Sequence, residues 1–240
     1  MKRLTLALFV MILMTPTLYA QQADSEIFIQ QSGQSLTLEI NQVGQGNAIG
    51  SLSNTDPFVL NGVSQEIIIN QLGSYNTVLG ALYGDFIQGT FNFTGDSNLF
   101  DIKVNDGGLQ SAESGIYWVD ITGSSNIFDI VVADTAVADN INLSWNVTGD
   151  YNTFTSKTNS DNYTSDLTFN GNYNNFDAIA SGFAGHSLTI NHTGDYTNFN
   201  ISQTSTLEQN IISLQTTTSG TALVPTTICI HQSDSGTTGC

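Results

Sequence analysis

A short motif, Gly-x-x-Asn, returns at near-regular intervals through most of this chain, and that recurrence limits what the chain can fold into. It stands at Gly44 and Asn47, Gly73 and Asn76, Gly95 and Asn98, Gly123 and Asn126, Gly149 and Asn152, and Gly171 and Asn174. A seventh copy begins at Gly194, with Thr197 in the Asn place. The glycines lie 29, 22, 28, 26, 22 and 23 residues apart. Periods of this size mark stacked-repeat architectures, in which one unit cannot bury its apolar face alone and packs on its neighbours instead.

Each copy has the same flanks. Apolar residues alternate with polar ones before the glycine, and an apolar residue stands two places after the Asn: Ile49, Val78, Phe100, Phe128, Phe154, Phe176 and Phe199. Period-two alternation puts the apolar positions on one face of a strand. The intervening Gly and Asn suit a tight corner, Gly by adopting backbone angles that other residues resist and Asn by hydrogen-bonding the turn. The pattern therefore predicts an all-β fold, a β-solenoid of stacked strand-turn-strand repeats with about seven or eight rungs. Counting back in twos from each glycine gives the expected inward face of the leading strands. These positions are Leu38, Ile40 and Gln42, then Ile67, Ile69 and Gln71, and later pairs such as Phe91 and Phe93, Trp145 and Val147, and Ile190 and His192. Stacked Gln42 and Gln71 can satisfy their amides by laddering from rung to rung. A lone inward His192 is expected near a wetter end of the stack.

Two segments carry a more specific likeness. Gln42-Val43-Gly44-Gln45-Gly46-Asn47 and Gln71-Leu72-Gly73-Ser74-Tyr75-Asn76 both match the central Gln-x-Gly-x-x-Asn of curlin repeats, and residues 35–203 as a whole resemble a divergent member of that curli amyloid family. The resemblance implies a strand-turn-strand rung, export through an outer membrane and assembly into extracellular fibres. The chain departs from the family pattern in three ways: the trailing Gln is missing, bulky Ile, Val or Phe holds the usual Ala place, and the leading Gln is replaced from Gly95 onward.

Export is also read from the N-terminus. Lys2 and Arg3 precede an apolar run from Leu4 to Met14, then Thr15, Pro16 and Tyr19-Ala20, the layout of a signal peptide cut after Ala20. The run is too short to span a bilayer and no second one follows, so no transmembrane segment is expected. The mature chain would keep two basic residues, Lys103 and Lys157, against 21 acidic ones, a balance of 2 − 21 = −19. Phosphate contacts need basic side chains, so nucleic acid is excluded as a partner. The destination is secreted, extracellular or cell-surface.

Little here points to chemistry. The mature chain has no Arg, and no nucleophile motif or metal-ligand spacing is present; His186 and His192 have no Cys or acidic partner at a useful distance in sequence. No catalytic residue, metal or cofactor is assigned, and the chain is read as a non-enzyme. After the motif glycines come Gln45, Ser74, Asp96, Ser124, Asp150, Asn172 and Asp195. Carboxylates there alternate with neutral residues, which keeps like charges about 9.6 Å apart on the outer side of the corner. The next position holds Tyr75, Tyr151, Tyr173 and Tyr196, an expected exposed aromatic ladder that offers a flat strip to a surface glycan.

The chain divides into the signal at 1–20, a lead-in strand at 21–34, the repeats at 35–203 and a C-terminal strand or cap at 204–240. Residues 51–62 and 134–140 are expected to bulge as longer connections. Cys229 and Cys240 are the only cysteines. In an oxidising compartment they are expected to pair and fasten the last strand. Two functions fit these features. One is a secreted structural protein that self-associates as a curli-like fibre subunit for matrix, adhesion or surface assembly. The other is a capped monomeric β-solenoid, an adhesin or virion surface protein, that binds extracellular glycans.

Overall fold

The alternating segments form strands and the Gly-x-x-Asn motifs form corners between them. The computed structural model describes residues 25, 27, 29–50, 58–73, 76–96, 98–104, 113–132, 138–182, 185–205, 211–217 and 227–233. Strands that lead into the motif corners are β2 (Thr37–Val43), β4 (Glu66–Leu72), β6 (Gln88–Thr94), β8 (Ile116–Thr122), β11 (Asn142–Thr148), β13 (Thr164–Asn170), β15 (Ser187–Thr193) and β17 (Ile211–Thr217). Strands on the other side of the corners are β1 (Gln30–Ser32), β3 (Phe58–Asn61), β5 (Thr77–Tyr83), β7 (Leu99–Val104), β9 (Ile127–Val132), β10 (Ala138–Asp139), β12 (Thr153–Asp161), β14 (Asn175–Gly182), β16 (Asn198–Ser205) and β18 (Thr227–Ser233).

The first set makes an eight-stranded sheet in the order β2-β4-β6-β8-β11-β13-β15-β17. The second makes a ten-stranded sheet, β1-β3-β5-β7-β9-β12-β14-β16-β18, with β10 beside β12. All pairings are parallel and in register, as when Trp145 aligns with Val119 on one side and Leu167 on the other. The fold is thus a β-solenoid. Six complete turns separate Gly44 from Gly194, with partial turns beyond them, where the sequence suggested seven or eight rungs. Among the described residues no helix is long and apolar enough to cross a membrane.

Register is set at the corners. Each motif glycine donates its N–H to the carbonyl of the residue that ends the next leading strand: Gly44 to Leu72, Gly73 to Thr94, Gly95 to Thr122, Gly123 to Thr148, Gly149 to Asn170, Gly171 to Thr193 and Gly194 to Thr217, at 2.8–3.0 Å. The glycines at these corners all have positive φ, between 139° and 158°. A Cβ on Gly73 would lie 1.7 Å from the Gly44 carbonyl oxygen, and one on Gly123 would lie 1.8 Å from that of Gly95. Glycine is therefore required twice, by its own backbone angle and by the close pass of the preceding rung.

A second corner closes each turn, and it has no constant residue. Ser35, Ser64, Phe86, Ser114, Asn140 and Asn162 take left-handed angles there, φ 53–59°. Their stacking also runs through the backbone, with Ser35 donating to Val63, Ser64 to Asp85, Phe86 to Glu113, Ser114 to Asp139 and Asn140 to Asp161.

Between the sheets lies a narrow apolar core. Phe100, Phe128, Phe154, Phe176 and Phe199 align in one column of the ten-stranded sheet, and all are buried. Ring contacts cross to the other sheet, where Trp145 meets Phe154 edge-on at 4.3 Å and Phe169 meets it at 5.4 Å. Aromatic pairs of this kind add to the burial of their surface.

The longer connections differ from expectation. Phe58 to Asn61 continue the rung as β3, aligned with Gly80 to Tyr83, so the extra residues of the first turn are 51–57 and not 51–62. Likewise Ala138 and Asp139 pair with Ser160 and Asp161, which shortens the bulge expected at 134–140. Residues 105–112, between Val104 and Glu113, account for the 28-residue spacing that the sequence reading left unexplained. These three connecting segments lie largely or wholly outside the described residues.

Gly44 sits at the sheet edge, and a Cβ there would meet nothing within 4 Å despite φ of +139°. Gly44→Ala therefore carries backbone strain alone, whereas Gly123→Ala adds the collision with Gly95. In denaturant unfolding, Gly123→Ala is expected to cost at least about 2 kcal/mol more than Gly44→Ala. Equal losses would show that the close pass does not limit the corner.

Candidate functional site

Four side-chain ladders run along or beside the motif corner, two of them buried, and the described stack has an end on either side. The first is the buried asparagine ladder. Asn47, Asn76, Asn98, Asn126, Asn152 and Asn174 are each at most 4% exposed. Asn98, Asn126 and Asn152 donate through Nδ2 to the carbonyl of their own motif glycine, Gly95, Gly123 and Gly149, at 2.6–2.7 Å. Links between rungs are Asn47 Nδ2 to Asn76 Oδ1 at 2.7 Å, Asn98 Nδ2 to Asn126 Oδ1 at 2.8 Å and Asn126 Nδ2 to Asn152 Oδ1 at 2.9 Å. The Asn174 Oδ1 accepts from the Asn152 backbone N–H at 3.0 Å. These side chains are scaffold and are closed to solvent.

The glutamine pair forms the second ladder. Gln71 Nε2 donates to Gln42 Oε1 at 2.6 Å, and both side chains are buried. From the third copy the position turns aromatic or aliphatic, and in the seventh it is His192. That histidine faces inward on β15, the last strand but one of its sheet, so it lies near an end of the stack as expected, but at 2% exposure it is closed to water. It is accommodated by the other change in its copy, since Thr197 Oγ1 stands 2.7 Å from His192 Nε2. The second corner has its own counterpart, which sequence reasoning missed. Gln65 donates to the Gly62 and Tyr83 carbonyls at 2.7 and 2.9 Å, and His186 lies 2.9 Å from the Ser160 carbonyl. The available signal was position: each is the residue just before a leading strand.

The third ladder is acidic and amide. Ser124 donates its backbone N–H to Asp96 Oδ1 at 3.0 Å, Asn172 to Asp150 Oδ1 at 2.6 Å and Asp195 to Asn172 Oδ1 at 2.8 Å. A longer contact, 3.4 Å from Asp150 N to Ser124 Oγ, joins them into one chain. The carboxylates therefore hold the corner together as well as spacing charge, and Asp195 is buried where an outward side chain was expected. Gln45 belongs to the terminal rung and is exposed, and Ser74 lies outside the described residues.

Tyr151, Tyr173 and Tyr196 form the fourth. Their rings stack at 4.8 and 4.6 Å with planes 4° and 2° apart. Tyr75 lies outside the described residues. Face-to-face stacking occupies the ring faces and presents edges and hydroxyls to solvent. A glycan that lies flat on an aromatic ring needs an open face, and the stack leaves only its two outermost.

At the ends of the described stack apolar residues are only partly covered. Ile228 and Ile230 on β18 are 44% and 42% exposed. Ile27, Ile29, Leu36 and Leu38 at the opposite end are partly buried against the core. β17 and β18 continue both sheets by one more rung. Cys229, on β18 in register with Asn200, is disulfide-bonded; Cys240 lies outside the described residues. Among the described residues no group of three His, Cys, Asp or Glu side chains is placed to hold a metal ion. No protein-family model, curated protein or solved structure matches this chain.

Burial shifts the ionisation of several groups. It holds His186 and His192 below the usual histidine value, and it raises Asp129, an effect to which neighbouring Asp101 adds. For the histidines the folded chain binds fewer protons than the unfolded one. Their contribution is therefore complete above about pH 6.5 and is lost as pH falls below it. The denaturation midpoint of His192→Gln, which restores the residue of the first two copies, is expected to drop less between pH 7 and pH 5 than that of the parent. Identical drops would remove His192 as a source of acid sensitivity.

Proposed function

We propose that this chain is an exported, non-enzymatic structural subunit that stacks end to end into extracellular fibres, as its curlin-like repeats suggest. The observation that carries this reading is the match between its two ends. In the ten-stranded sheet the register puts Ile27 level with Ile49, Ile29 with Phe58 and Gln31 with Leu60. At the other end Ile228, Ile230 and Gln232 align with Phe199, Ile201 and Gln203. First and last rungs therefore carry the same series, Ile-x-Ile-x-Gln, at the same column positions. The eight-stranded sheet offers a similar match, Leu38 and Ile40 at one end and Ile212 and Leu214 at the other.

A second copy placed on the last rung would continue each apolar column with an apolar residue. Its strands would meet β17 and β18 along edges whose N–H and C=O groups have no neighbouring strand among the described residues. Such edges are templates for pairing with another chain. Gln203 and Gln232 already form the start of an amide ladder, at 3.4 Å, and Gln31 is the residue that register would bring next.

Purified mature protein is expected to form fibres with a cross-β reflection near 4.8 Å without any added partner. Replacing Ile228 and Ile230 together with Asp should abolish elongation while leaving a folded monomer, because the charges fall on the open rung. A parent protein that stays monomeric at every concentration, with and without reductant, would favour the other reading, a capped monomeric solenoid that binds an extracellular glycan.

A further inference from the structure

Tyr151, Tyr173 and Tyr196 hold the same corner position in three consecutive rungs, with left-handed φ of 60°, 58° and 59°. Large side chains seldom adopt that conformation. The corner imposes it on all three, so their rings leave the backbone in one common direction. Their separations of 4.8 and 4.6 Å equal the rung repeat of a parallel sheet. The backbone therefore sets the stack. Tyr151 and Tyr173 are 59% and 46% exposed, whereas Tyr117 and Tyr163 are buried in the core. No other tyrosine among the described residues stacks on a second.

Phenols held this close and open to solvent suit oxidative coupling. We propose that this ladder is a site of covalent modification, where a haem peroxidase and hydrogen peroxide, or an equivalent one-electron oxidant, join Tyr173 to Tyr151 or Tyr196 as dityrosine. Each phenol loses its hydroxyl hydrogen as a proton and an electron, and the pair reduces one peroxide to two waters. The two phenoxyl radicals form one carbon–carbon bond between ring positions ortho to oxygen. The hydrogens on those carbons then move to the oxygens and restore both phenols. The product is two hydrogens lighter than the two tyrosines.

In free solution this coupling waits on the encounter of two radicals. Fixed neighbours replace the encounter with a step inside one molecule. The exposed rings have room to turn from face-to-face stacking into the approach that the bond needs. The bond would also fall on rungs where the ten-stranded sheet turns small side chains inward. The ten-stranded sheet points Ile102 and Val104, then Ile130 and Val132, into the core of earlier rungs, but Ser156, Thr158 and Ser160 in β12 and Ala178 and Ala180 in β14.

The test treats dilute, monomeric mature chain with a haem peroxidase and hydrogen peroxide, then reads dityrosine fluorescence and the mass of the monomer. The expected product is a monomer lighter by two hydrogens, with the link mapped by fragmentation to Tyr173 and one neighbour. Tyr173→Phe keeps the ring but leaves Tyr151 and Tyr196 two rungs apart, about 9.6 Å, so the intramolecular link should fall at least about tenfold. Tyr151→Phe and Tyr196→Phe each retain one stacked pair and should each keep roughly half of the yield. The proposal is overturned if Tyr173→Phe couples as well as the parent, if links form only between chains, or if none forms at an oxidant dose that couples a free tyrosine peptide.

Discussion

Everything in this solenoid depends on the hydrogen bond from each motif glycine to the rung that follows. Seven such bonds, from Gly44 to Thr217, set where one turn sits on the next. In a parallel stack a slip of one residue would send Phe128 to the surface and Asp129 into the core, because neighbouring side chains point to opposite faces. The glycines prevent this. A Cβ on any motif glycine from Gly73 onward would strike the carbonyl of the glycine before it, so a substituted residue cannot take the place of a glycine in an offset register. Side-chain ladders add a second restraint, since the Asn126 amide reaches Asn152 only when the two motifs are level.

Much of this was legible in the sequence because two signals coincided. Alternation in Phe128 to Val132 gave the strands, and Gly with Asn gave the corner. Their constant offset gave the column from Phe100 to Phe199. The second corner stayed hidden for a physical reason: its left-handed residue is Ser35, Phe86 or Asn140 in different turns. Stacking through backbone N–H groups holds that conformation without calling for one residue type. Bulge boundaries failed similarly. Phe58 to Asn61 pair in the sheet as β3, and nothing in 58–61 taken alone distinguishes a strand from more loop.

His192 lies inward and near an end of the stack as its position implies, but it is drier than a single polar residue suggests. Polarity alone places a histidine near water, yet this one is buried beside Thr197. The seventh copy changes two positions together. Asn gives way to Thr and the leading position to His, and the pair supplies its own hydrogen bond inside the core. Burial of that ring holds its ionisation below the usual histidine value. The polar core positions of this protein are therefore best considered in pairs along a rung or a column, as with Gln42 and Gln71.

The outer ladders follow from the same stacking, which brings chemically alike groups to the rung repeat whether or not they attract. For the amides and for Asp150 over Asn172 the enforced distance makes hydrogen bonds. For Asp101 beside Asp129 it makes repulsion, seen in the raised ionisation of Asp129, with Lys103 nearby as partial relief. For the tyrosines it closes ring faces against one another and leaves edges outside. One geometric repeat thus gives attraction, repulsion or proximity according to the side chain it repeats. Among the described residues its last strand is β18, where Ile228 and Ile230 in the apolar column are exposed. Each internal rung is paired on both sides, whereas β17 and β18 are each paired on one side only among the described residues, so the same repeat that closes the interior leaves strand edges at its ends.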